Sequence, residues 1–119
     1  MKVAITSTGE GLQSSVDPRF GRAKYFVVVD LETQAATTVS NAVNLNAAQG
    51  AGIQAAKAVI DLGAGALITG HVGPKAFAAL KAGGIAIYPV AGGTVGEAWE
   101  QFRAGALKTM AAADVEGHW

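Results

Sequence analysis

A chain of 119 residues, half of them hydrophobic and 15% charged, has the size and composition of one compact globular domain, too short for two cores and too apolar for a disordered tail. Nine Lys and Arg balance nine Asp and Glu, so no basic excess points to nucleic acid or to an acidic membrane surface. The absence of cysteine excludes disulfides, thiolate ligation and cysteine nucleophiles, and no apolar run approaches the roughly 18 residues of a membrane span.

Strand-like sequence starts at Lys2 with no signal-peptide architecture before it, which sets the expectation of a cytoplasmic address. Lys2 to Ser7 is apolar at its centre and reads as the first strand, and Thr8 to Ser15 as a polar loop. The next stretch, Asp17-Pro-Arg-Phe-Gly-Arg-Ala-Lys24, crowds Arg19, Arg22 and Lys24 around Phe20. Cations this close repel one another unless solvent or an anion relieves them, and arginine forks suit oxyanions and thioanions; Phe20 reads as a hydrophobic plug. Tyr25 to Asp30 and Ala35 to Ser40 form an antiparallel hairpin. Asn46 and Gln49 have capping-box spacing, and a helix ending near Asp61 follows, with Ile53, Ala56, Val59 and Ile60 as its inner stripe. Gly50 and Gly52 match the letters of a dinucleotide fingerprint, but no strand runs directly into them.

Ala66 to Thr69 has the short apolar character of a doubly covered parallel strand, and it meets Pro74, which suits the first turn of a helix. Between them lie Gly70, His71, Val72 and Gly73. Glycines here permit positive φ or close approach of a ligand, and the helix start offers N–H groups and a positive dipole end to an anion. A helix over Lys75 to Ala82, a strand over Ile85 to Val90 and a third helix to about Ala104 complete the pattern. Gly92 and Gly93 precede the third helix, where Thr94 and Glu97 make a capping box. Residues 1–105 then form the domain and 106–119 a tail, in which Leu107 to Met110 pack back and Ala111 to Trp119 fray, leaving His118 without a role.

The element order β β β α β α β α, with a hairpin meander and right-handed crossovers, implies a five-stranded mixed sheet of order 3-2-1-4-5 with three helices. That is an α/β architecture of ribonuclease-H-like type. Strands 1, 3, 4 and 5 share a direction, so the glycine clusters, the cation cluster and the helix N-termini all fall at one sheet edge. A ligand crevice is expected there between strands 1 and 4. Two-metal nuclease chemistry needs clustered carboxylates, and Lys2 to Ser7 has none. No Ser-His-Asp set or metal-ligand spacing stands out. A binding domain fits better than an enzyme.

Asp17-Pro-Arg-Phe-Gly-Arg-Ala-Lys-Tyr-Phe26, Gly50-Ala-Gly-Ile53, Ile68-Thr-Gly-His-Val-Gly-Pro-Lys-Ala76 and Gly92-Gly-Thr-Val-Gly-Glu97 together resemble the dinitrogenase iron-molybdenum cofactor-binding family over nearly the whole chain. The resemblance implies a carrier that holds an anionic metal–sulfur cluster non-covalently. In size and lack of cysteine the chain is most similar to members that hold a molybdenum–copper sulfide cluster, and an iron-molybdenum cofactor precursor is the alternative cargo. The residues implied are Ser7, Arg19, Arg22, Gly50, Gly52, Gly70, His71, Val72, Gly73, Gly92, Gly93 and Thr94, with His71 the one candidate metal ligand and turn-capping its competing role. Because family members often occur alongside P-loop ATPases, a regulatory or interaction module that binds such an ATPase, or an oxyanion metabolite, is the second reading.

Overall fold

The computed structural model describes residues 1–42 and 50–110. Its five strands are β1 (Lys2–Ser7), β2 (Tyr25–Asp30), β3 (Ala36–Ser40), β4 (Ala64–Thr69) and β5 (Ala86–Pro89), in the order β3-β2-β1-β4-β5. β2 runs antiparallel to β1 and β3, while β4 runs parallel to β1 and β5. This is the α/β sheet order expected of a ribonuclease-H-like motif. Ile5 marks the centre, opposite Val27 on one side and Ile68 on the other. β-branched side chains pack well on such a pleated, doubly covered surface.

Three α-helices among the described residues cover the sheet: α1 (Ala51–Asp61), α2 (Pro74–Ala82) and α3 (Val95–Arg103). The period of two along each strand divides the core. Ala4, Phe26, Val28 and Leu67 face α1 and α2, whose inward residues include Ala55, Ala56, Val59 and Leu80. Val3, Ile5, Val27, Val29 and Ile68 face α3 through Val95, Ala98 and Trp99. Both N- and C-terminal halves of the chain therefore build the two halves of the core.

Two local details go beyond the sequence reading, and the expected packing-back of Leu107 to Met110 is present. Phe20–Arg22 is a short 3-10 helix, with the Phe20 ring fully buried beside Phe26 at a centroid distance of 6.1 Å. β4 starts at Ala64, with a register irregularity where Lys2 and Val3 meet it. Residues 106–110 cross the β5 edge: Leu107 packs on the α3 side, Met110 is buried on the other, and the Met110 N–H donates to the Ile87 carbonyl at 2.7 Å. The expected Asn46–Gln49 capping box, the tail from Ala111 and His118 lie outside the described residues.

Candidate functional site

The connection from β1 to β2 determines what the carboxyl edge of the sheet can offer. It leaves on the α3 side, where Val16 N–H donates to Gly93 O at 2.9 Å, and then turns back across the strand ends. Asp17 N–H donates to Thr6 O at 3.0 Å, while the buried Thr6 hydroxyl donates to Asp17 O at 2.8 Å and bonds the Thr69 hydroxyl at 2.8 Å. Next, His71 N–H donates to Pro18 O at 2.7 Å and Phe20 N–H to His71 O at 3.2 Å, a short parallel pairing of Arg19 with His71. Phe20 finally plugs the core on the α1/α2 side. The crevice expected between β1 and β4 is thus bridged by the chain itself, because these backbone groups satisfy one another instead of facing a ligand.

The helix N-termini differ in the same way. At α3 the Val95 N–H donates to Ser14 O at 2.8 Å, Gly96 N–H to Leu12 O at 2.8 Å and Glu97 N–H to the Thr94 hydroxyl at 3.1 Å. In return the Thr94 N–H donates to the Glu97 carboxylate at 2.9 Å, completing the capping box. These backbone bonds from Thr94 hold the Glu97 carboxyl below its ordinary value of 4.5. The α3 start is therefore satisfied from within, by the expected capping box and by carbonyls of the 8–16 loop. At α2, Pro74 has no N–H, the Gly73 cap has no side chain, and no acceptor among the described residues meets the Lys75 or Ala76 amides. Those amides and the dipole end remain for an outside anion.

The residues named from sequence separate into two groups. Arg19, Arg22, Gly70, His71, Val72 and Gly73 belong to the Pro18–His71 junction and the α2 start, and Gly50 and Gly52 to the start of α1, which packs against both α2 and the 3-10 helix. Arg19 is half-exposed and lies 4.0 Å from the buried Asp17 carboxylate, which also accepts from the Arg19 N–H at 3.0 Å. His71 is exposed, Val72 and Gly73 are buried, and Arg22 is intermediate. Gly92, Gly93 and Thr94 belong instead to the α3 start, and Ser7 is fully buried, its hydroxyl donating to Gly9 O at 2.6 Å.

Gly70 does other work than expected. Neither Gly70 nor Gly73 uses positive φ. A Cβ on Gly70 would stand 2.7 Å from both the Cα and the carbonyl oxygen of Pro18, so Gly70 admits this chain's own backbone. Gly50 caps α1 in the left-handed region at φ 73°. Sequence reasoning missed Asp17, which fixes Arg19, and Asn41, which is fully buried with Nδ2 donating to Ala23 O at 2.7 Å and N–H donating to Lys24 O at 2.9 Å. The dipeptide Asp17-Pro18 was a turn signal that pointed to the first; Asn41 carried none.

The chain is similar to known proteins over nearly its whole length. The dinitrogenase iron-molybdenum cofactor family matches residues 1–105. The apo form of the orange protein from Desulfovibrio gigas is 46% identical, with a TM-score of 0.93 over 96% of each chain. A Thermotoga protein of the DUF35 family, solved by NMR, is 38% identical, with a TM-score of 0.84 over 98% of each chain. An uncharacterized protein of Methanocaldococcus jannaschii is 28% identical over 111 residues, spanning 91% of this chain and 90% of its own. With a family match over residues 1–105, this chain belongs to the dinitrogenase iron-molybdenum cofactor family.

Proposed function

We propose that the protein is a carrier, not an enzyme, whose cargo is an anionic metal–sulfur cluster held without a covalent protein–metal bond. The observation that carries the reading is the pairing of Arg19 with His71 beside the uncapped start of α2, which brings cations and unmet amides to one edge. Sulfide-rich clusters are polyanions, and charge-assisted hydrogen bonds from guanidinium and backbone N–H groups suit them. Among the described residues no three His, Asp or Glu side chains gather as a ligand set. Arg19, Arg22, His71, Val72 and Gly73 form the centre of the seat, Gly50 and Gly52 border it from α1, and Gly70 fixes its backbone. Ser7, Gly92, Gly93 and Thr94 serve by holding the 8–16 loop.

Molybdenum–copper sulfide is the cargo favoured by likeness to the orange protein, and an iron-molybdenum cofactor precursor is the alternative. Reconstitution with tetrathiomolybdate and copper, desalting, and metal quantification tests the reading. Molybdenum and copper retained in fixed ratio to protein is the expected result. Retention no better than that of an unrelated protein of equal charge defeats it.

A further inference from the structure

A net charge of zero conceals a lopsided distribution. Arg19, Arg22 and Lys24 flank or form the 3-10 helix, Lys57 lies on α1, and Lys75 and Lys81 lie on α2, together six of the nine Lys and Arg. The acidic side chains of these segments are Asp17, which is buried, and Asp61 at the end of α1. Residues 43–49 contain no ionisable side chain. The opposite layer is acidic, with Glu10 in the loop bonded to α3 and Glu97 and Glu100 on α3 itself, where Arg103 is paired to Glu100 at 3.1 Å.

The cations lie on elements that pack against one another. α1 packs against both α2 and the 3-10 helix, and the helices turn Ala51, Ala55, Ala56 and Val59, and Ala76 and Leu80, inward. Lys57, Lys75 and Lys81 are left exposed, and the small residues Ala78 and Ala82 of α2 are exposed as well. We propose that this α1/α2 face, extended by Lys24, docks an acidic surface of a partner protein. A single-signed field steers such a partner, and short side chains let it approach closely. Binding to a membrane surface calls for large apolar side chains to insert, and the exposed large hydrophobics among the described residues are Met1 and Leu12, on neither helix. Nucleic-acid strands call for exposed aromatic platforms, and α1 exposes no aromatic residue, while the Phe77 of α2 packs against the core. The inference rests on the charge distribution and stands apart from the cargo reading.

The test uses a fluorescein-labelled polyglutamate peptide as probe, followed by anisotropy at about 0.01 M ionic strength, where the screening length is about 30 Å. Lys57→Glu with Lys81→Glu is compared with Arg103→Glu with Lys108→Glu, which changes net charge equally on other segments. Neither pair touches Arg19, Arg22 or His71, so cluster retention stays intact in both and the two proposals fail separately. The first pair is expected to weaken the probe by roughly tenfold or more and the second by under about threefold. Lys57→Gln with Lys81→Gln, a gentler change, is expected to fall between them and serves if the reversal unfolds the chain. Equal losses in the two reversed pairs would show an effect of net charge alone and overturn the docking face. Phosphatidylserine vesicles that bind while the peptide does not would assign the face to a membrane and likewise overturn it.

Discussion

Replacing Gly70 by Ala tests the backbone junction on which the candidate site is built. The new Cβ would lie 2.7 Å from two backbone atoms of Pro18, and backbone cannot swing aside as a flexible side chain can. Relief requires the 17–20 segment to lift, which stretches the His71–Pro18 bond of 2.7 Å and the Phe20–His71 bond of 3.2 Å. Overpacking typically costs about 1–3 kcal/mol, and each weakened hydrogen bond adds up to about 1 kcal/mol, so a loss of about 2–4 kcal/mol is expected. In a domain of this size that corresponds to a fall in Tm of about 10 °C. Gly92→Ala is the matched control, because its Cβ meets nothing within 4 Å and its φ is not positive; a change within about 0.5 kcal/mol is expected there. Urea titration of both variants supplies the comparison. Equal stability of the two would refute the idea that Gly70 exists to admit Pro18.

Asn41→Ala removes a fully buried amide that donates to Ala23 O at 2.7 Å, leaving that carbonyl short of a partner; a loss of about 1–3 kcal/mol by urea titration is expected, and an unchanged midpoint would remove Asn41 from the account of how the cation loop is pinned. Thr94→Ala deletes the α3 cap and should cost about 1 kcal/mol by the same assay. Glu97 carries a pH signature as well. Backbone bonding to Thr94 lowers its folded pKa below 4.5, so its stabilising contribution is fully present above that pH and disappears as pH falls through the lowered value. Tm measured against pH should therefore show the parent losing its advantage over Glu97→Gln below 4.5, and a gap that persists unchanged to lower pH would contradict the capping role.

The sheet order was legible because glycine turns and short apolar runs mark each element locally, and crossover handedness leaves few topologies. The α3 capping box was legible for the same reason, since Thr94 and Glu97 are three residues apart. What escaped was decided by distant backbone. Gly96 N–H meets Leu12 O and His71 N–H meets Pro18 O, and neither pairing leaves a trace in periodicity. An open crevice was therefore expected where the chain bridges its own strands, and the loop carbonyls that meet the α3 amides were not foreseen. Gly70 was recognisable as a position without a side chain, yet the atom that requires it belongs to Pro18. Asn41 resembled any polar residue at the end of a strand, because burial rather than type makes it structural.

The most direct test of an electrostatic seat is molybdenum retained by Arg19→Ala with Arg22→Ala and by His71→Ala, each measured across a salt series after loading with tetrathiomolybdate and copper. Charge-assisted hydrogen bonds contribute about 1.5–3 kcal/mol each, so losing two should weaken retention by about two to four decades. The double arginine variant is expected to lose more than His71→Ala, and retention by the parent is expected to fall as salt rises. If the arginine variant holds the cluster as well as the parent while His71→Ala releases it, the seat is a coordination site and the electrostatic account is wrong.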